Sequence, residues 1–214
     1  MRTRRHFLRL AVGSSVAGVA LLGPLFSARQ WTWAAARKVL PKGTTRESLI
    51  QEDPAALDAT NLEITPLEHF GTMGPTNEVV DPGAWRLQIS GQVKRVLSLT
   101  LTQLTALPSV ERDVLLICPG FFVNYGRWKG VSMRSLLQQA DPERTATQVL
   151  IEARGGKTVH YPLPDLLSDK VFLAYQVNGQ SLPRKHGFPL RVVAEGYYGS
   201  DWVKYVEKVT VDRG

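Results

Sequence analysis

The chain has 214 residues, 43% hydrophobic and 21% charged, enough to bury a core and too balanced for a disordered chain or a polytopic membrane protein. Its single cysteine excludes an intramolecular disulfide framework and any zinc site built from several thiolates. The formal charge of +7, from 26 Lys and Arg against 19 Asp and Glu, would suit nucleic acid or an anionic membrane if it were spread over the fold.

The charge is concentrated instead at one end. Residues 1–36 hold Arg2, Arg4, Arg5, Arg9 and Arg29 and no acid, so the remainder carries about +2 and a nucleic-acid partner is not expected. An uncharged stretch from Leu10 to Ala28 follows, diluted by Gly13, Gly18 and Gly23, with small residues at Ala34, Ala35 and Ala36. It is marginal in length and weakly apolar for a membrane span. The run Arg4-Arg5-His6-Phe7-Leu8 resembles a twin-arginine export signal. That resemblance implies delivery to the periplasm or the outer cell face of a passenger that folds first, commonly around a cofactor. The alternative is an ordinary signal or a retained anchor.

Residues 37–60 are polar, with Pro41, Gly43 and Pro54, and read as an irregular arm ahead of a domain over 61–214. Ala84–Ser90 alternates and is closed by Gly91, which predicts a strand and turn. Leu101–Leu107 predicts a short helix. Val114–Cys118 is a continuous apolar run, as in a buried strand, ending at Pro119-Gly120. Apolar residues at 131, 133, 136, 137 and 140 predict an amphipathic helix over Val131–Ala140. Val149–Ala153, Val171–Val177, Pro189–Ala194 and Val203–Val211 read as strands, and Leu163–Leu167 as a short helix. Many short strands with few short helices predict an α+β domain on mixed sheets.

No GxGxxG, GxxxxGK[ST], GxSxG or HExxH motif occurs, and His6, His69, His160 and His186 never fall at chelating spacing. Cys118 remains. At the end of a buried strand it is either a small hydrophobe or a thiolate for a soft metal whose other ligands come from an organic cofactor. His160 and Tyr161 read as a surface strand.

Three segments bear on that choice. They are Val114-Leu-Leu-Ile-Cys118 with Trp128 and Gly130; Phe172–Pro183 with His186-Gly-Phe-Pro-Leu-Arg191, Gly196-Tyr-Tyr-Gly199 and Trp202-Val-Lys204; and Glu68-His69-Phe70-Gly71-Thr72 ahead of Trp85–Gly91. Together they resemble the sulfite oxidase superfamily of molybdopterin enzymes, and the third is similar to its bacterial methionine-sulfoxide reductase branch. The resemblance spans roughly residues 60–212. It implies a sulfite-oxidase-type molybdopterin-binding fold and a molybdenum-molybdopterin cofactor, one pterin per chain. Cys118 would be the metal ligand and the catalytic position. His186, Arg191, Trp202, Val203 and Lys204 would hold the pterin and its phosphate, with Glu68 and His69 at the early cofactor-contacting positions.

The segment after the cysteine, Pro119-Gly-Phe-Phe-Val-Asn-Tyr125, is largely apolar, where the sulfite-oxidising branch carries polar and arginine residues. A small-molecule or protein-bound sulfur or nitrogen oxide is therefore the expected substrate, with sulfite oxidation as the alternative. No CxxCH motif is present, so no covalent haem is expected in this chain. A separate haem-containing cytochrome, membrane-bound or soluble, is the expected electron partner. Because the chain stops where the family's immunoglobulin-like dimerisation domain would follow, a monomer is expected. A cofactor-free binding protein on the same fold is the reading from another class.

Overall fold

The computed structural model describes residues 36–214, so the expected signal segment lies, apart from Ala36, outside the described residues. In chain order the strands and helices are β1 (Lys38–Val39), β2 (Leu57–Asp58), β3 (Arg86–Gly91), β4 (Leu97–Thr100), α1 (Leu101–Thr105), β5 (Ser109–Cys118) and β6 (Phe122–Ser132). They continue as α2 (Met133–Ala140), β7 (Gln148–Ala153), β8 (Thr158–Pro162), α3 (Leu163–Leu167), β9 (Val171–Val177), β10 (Gln180–Ser181), β11 (Arg191–Ala194) and β12 (Val206–Asp212). The architecture is the expected α+β arrangement on mixed sheets.

One sheet runs β5-β6-β9, all antiparallel, with β10 and β11 sharing the outer edge of β9 at Val177–Gln176 and Ala174–Val171 respectively. The other runs β4-β3-β12-β7-β8 and is mixed, because β12 lies parallel to β3 and antiparallel to β7. The segment between β11 and β12 links the sheets. Val192 donates its amide to the Val203 carbonyl at 2.8 Å, and Val206 donates to that of Leu190 at 2.9 Å.

The uninterrupted apolar run on β5 follows from the period of two in a strand covered on both faces. Val114, Leu116 and Cys118 face the main core with Trp128, Val131 and Phe172. Leu115 and Ile117 face the other way, where Leu40, Leu49 and Leu57 of the 37–60 segment cover them together with Val123 and Tyr125. That segment is also tied down electrostatically, since Glu195 accepts from both Arg37 and Arg112. Cys118 therefore sits on a strand with no free face to bend toward.

Strand β6 was not expected from the sequence, because Gly126, Gly130, Arg127 and Lys129 break its apolar pattern. Pairing decides it. All ten residues of β5 find register partners on it, and Gly130 is required where it passes β9, since a Cβ there would lie 2.1 Å from the Leu173 carbonyl oxygen. The predicted helix at Val131 begins at Met133. Val131 and Ser132 still belong to β6, and the Ser132 hydroxyl accepts the amide of Ser135, which makes it the helix cap. Helix α1 opens on a capping box, Thr100 with Gln103. Tyr161 corrects the surface reading of its strand: it is fully buried, its hydroxyl donating to the Asp201 carbonyl, while its neighbour His160 is exposed.

Candidate active site

Cys118 ends β5 just before the hairpin turn Pro119–Phe121, and it is 8% exposed. A small cavity beside it is lined by Gly71, Thr72, Met73, Leu116, Phe122, Asn124, Arg191, Gly199, Trp202 and Lys204. Gly199 allows its backbone to approach the thiol side chain, since a Cβ there would lie 3.2 Å from Leu116 and 3.5 Å from the Cβ of Cys118. Burial pushes the thiol pKa up, against the smaller opposing pull of Lys157. The free thiol is thus held protonated, and metal binding would have to release that proton.

Arg191 opens β11 and is 6% exposed. Its guanidinium lies over the rings of Trp128 at 5.0 Å and Trp202 at 5.6 Å. It donates to the carbonyls of His186 at 3.1 Å and Val192 at 3.4 Å, and no carboxylate among the described residues pairs with it. Burial lowers its pKa to about 10. Lys204, half-buried beside it, donates to Thr72 Oγ1 and to the Lys185 carbonyl, and burial together with Arg191 and Lys157 lowers its pKa to about 8. His186 completes the group: it is 1% exposed, and its Nε2 has no hydrogen-bond partner among the described residues.

Buried cations without acids, next to a buried ring nitrogen without a partner, cost folding free energy that an anion would return. The donor set is right for a phosphate-bearing ligand: a guanidinium fork, an ammonium and an imidazole nitrogen. Among the described residues no group of three or more His, Cys, Asp and Glu could hold a metal ion. A metal at Cys118 would take its remaining ligands from an organic cofactor. The residues therefore fit a molybdopterin carrying its own dithiolene sulfurs and phosphate.

The structure brings Cys118, Arg191, Trp202 and Lys204 to one cavity and His186 next to it. Val203 is fully buried and does not line it, and the backbone amides of Trp202 and Val203 are spent on the carbonyls of Gly199 and Asp201. Glu68 and His69 are exposed on a 3-10 turn away from the cavity wall, and Gly71, Thr72 and Met73 occupy the expected place instead. Sequence reasoning also passed over Asn124. The available signal was a polar residue amid the apolar Phe121-Phe-Val-Asn-Tyr125.

His186 makes the cofactor-free protein acid-sensitive. Burial, then Arg191, Lys185 and Lys204, hold its imidazole neutral in the fold, with the pKa lowered from 6.5 to about 4. The unfolded chain takes up this proton below its own pKa, so this part of the stability is complete above pH 6.5 and is lost as pH falls toward 4. Urea midpoints between pH 7 and 4 should report a loss of about 1–3 kcal/mol from this residue, and His186→Leu should flatten that part of the slope.

The family model of the oxidoreductase molybdopterin binding domain matches residues 73–214. The chain is 30% identical over 172 residues to an uncharacterized oxidoreductase, YuiH, of Bacillus subtilis, covering 77% of this chain and 83% of the relative. It is 32% identical over 192 residues to sulfite oxidase of Gallus gallus, covering 75% and 42% of the two chains. Against the protein-methionine-sulfoxide reductase catalytic subunit MsrP of Gluconobacter oxydans it is 24% identical over 197 residues, covering 72% and 63%. The chain thus spans less than two thirds of the length of these last two relatives. Among solved structures, the sulfane dehydrogenase SoxCD of Paracoccus pantotrophus shares the fold at a TM-score of 0.61 and 19% identity, over 95% of this chain and 56% of the other.

Proposed function

Because the chain belongs to the oxidoreductase molybdopterin binding domain family and is a molybdopterin-dependent oxidoreductase, we propose that it reduces a sulfur or nitrogen oxide at a molybdenum held by Cys118. The observation that carries this reading is the meeting of the Cys118 thiol with Arg191 and Lys204, cations that no carboxylate among the described residues pairs with, around one cavity. When bound, the molybdenum-molybdopterin cofactor supplies two-electron oxygen-atom transfer.

The protein's own residues set the conditions. Cys118 holds the metal on a strand stiffened from both faces. Arg191 and Lys204 take the phosphate, the first by its paired donors and the second as a point charge, and His186 Nε2 is free to bond the pterin side. Leu116, Phe122 and Trp202 exclude water from the thiolate. An S-oxide would consume two electrons and two protons and leave as sulfide and water. The electrons would come from a separate haem-containing cytochrome.

A neutral oxide is favoured by the apolar wall beside Cys118 and by the placement of Arg127, which is turned to Asp113 in a two-pronged ion pair at 2.8 and 3.0 Å. Sulfite oxidation is the second reading. It is supported by the 32% identity to a sulfite oxidase and by Lys157, whose ammonium reaches the Ser200 carbonyl next to Gly199. We place the enzyme in the periplasm, delivered by the twin-arginine route on the strength of Arg4-Arg5. Among the described residues no helix is long and apolar enough to cross a membrane.

Protein made together with the cofactor-synthesis enzymes should carry about one molybdenum and one pterin per chain by metal and fluorescence analysis. A preparation that binds no molybdenum would remove the proposal. Parallel assays of methionine sulfoxide reduction and sulfite oxidation then decide between the two substrate classes.

A further inference from the structure

The cavity beside Cys118 has room for only about 40 Å³. That admits a water or two, whereas small-molecule sites run from roughly 300 Å³ upward. What fills the difference is residues 71–73. Met73 Sδ rests 3.9 Å from Cys118 Sγ, and Gly71 lies flat on Phe122, where a Cβ would fall 2.3 Å from the ring.

This segment is held almost entirely by polar bonds. Asn124 is 2% exposed on β6, opposite Leu116 of β5, two residues before Cys118. Its amide makes a matched pair with the backbone of one residue, the peptide groups on either side of the Gly71 Cα: Oδ1 accepts from the Gly71 N–H at 3.0 Å, and Nδ2 donates to the Gly71 carbonyl at 2.9 Å. Thr72 is bonded by Lys204 Nζ at 3.2 Å and donates to the Lys185 carbonyl at 3.2 Å. Little apolar surface is committed. Met73 is 46% exposed, residues 74–77 are exposed, and Gly74 has open space around its Cα. Few buried apolar contacts and a handful of bonds describe an element that opens far below the cost of global unfolding.

We infer that Gly71–Met73 is a strap closing the cavity over Cys118, that Asn124 is the positioning residue latching it, and that it must lift for the cofactor to reach the thiol. Lys204 couples the two events. The ammonium bonded to Thr72 is the one available to the phosphate, so an arriving phosphate competes for a bond that keeps the strap down. Phe70 supplies the fixed end: it is 5% exposed and packs against Trp128 and His186 with ring centroids 5.8 Å away in each case. The inference rests on the molybdopterin reading only for what the strap admits.

Cys118 is the chain's single cysteine, so reaction of cofactor-free protein with DTNB reports on this thiol alone. Two hydrogen bonds of ordinary net strength hold a closed state by about tenfold to a hundredfold. Asn124→Ala should therefore speed labelling by at least about tenfold under native conditions, and Met73→Ala, which removes the cover but keeps the latch, should speed it as well. Ile89→Ala, fully buried in the other sheet, loosens the fold without touching the strap and should leave native-state labelling within about twofold of wild type. Equal labelling of Asn124→Ala and wild type would overturn the inference. So would an Ile89→Ala rate as high as that of Asn124→Ala, because the thiol would then be exposed by general loosening. Since labelling is read without cofactor, a failure to bind molybdenum would remove the cofactor reading and leave the latch standing.

Discussion

Cys118→Ser is expected to yield a folded protein whose turnover falls by at least about a thousandfold, some 4 kcal/mol of lost transition-state stabilisation. The two side chains have nearly the same shape, so melting should shift by less than about 1–2 kcal/mol even at a site only 8% exposed. The chemistry differs far more than the packing. A thiol gives up its proton to a metal near neutral pH and donates as a soft, polarisable ligand, while a hydroxyl does neither. Burial already raises the thiol pKa here, and the same environment would keep a hydroxyl protonated still more firmly. Steady-state assay with thermal melting reads both quantities at once. Retained activity in the serine variant would refute the ligand assignment, whereas a lost fold would show that Cys118 acts through packing.

Arg191→Met should separate cofactor retention from folding. Burial lowers the guanidinium pKa to about 10, which corresponds to a cost of about 3 kcal/mol for keeping the charge inside. Against this stand the bond to the His186 carbonyl, worth about 1–2 kcal/mol, and the stacking on Trp128 and Trp202, worth about 1 kcal/mol. The terms nearly cancel, and methionine fills the space between the two indoles. The cofactor-free variant should therefore melt within about 1 kcal/mol of wild type, while its molybdenum content falls by at least about tenfold. Arg191→Lys should not restore retention, because a single ammonium cannot present paired donors to a phosphate. A variant that lost several kcal/mol and kept its molybdenum would mark Arg191 as a structural cation between two rings.

How much of this was legible beforehand depended on the range of the interaction responsible. Strand β9 was predicted over Val171–Val177, where it is found, because seven mostly apolar residues with Val at each end and Phe and Tyr between carry their own signal. Helix α2 was found but placed two residues early. Its apolar spacing is a local pattern, whereas its start is decided by whether Ser132 caps the helix or stays in β6. Strand β6 was missed altogether, since Gly130 is explained by Leu173 and Ala174 of β9 and Gly126 by the ring of Phe70, all remote in sequence. Tyr161 was misread for a similar reason: the element that buries it, around Tyr197 and Asp201, is remote in sequence.

The sequence alone determined the chemistry on offer. One cysteine ended an apolar strand, no motif of nucleotide, hydrolase or zinc type was present, and the segments around Arg191 and Lys204 resembled a cofactor-binding family. Only the tertiary structure decided which side chains face one another. Among the described residues it brought Arg191 and Lys204 together without an acid, left His186 Nε2 without a partner, spent the amide of Val203 on Asp201, and set Glu68 and His69 outside the cavity. It also laid Met73 against the thiol and gave Asn124 the backbone N–H and carbonyl of Gly71 to hold, across 53 residues of chain. Residue type sets what a group can do and is local. Burial and pairing set whether it does so, and both depend on contacts between distant segments that no local pattern encodes.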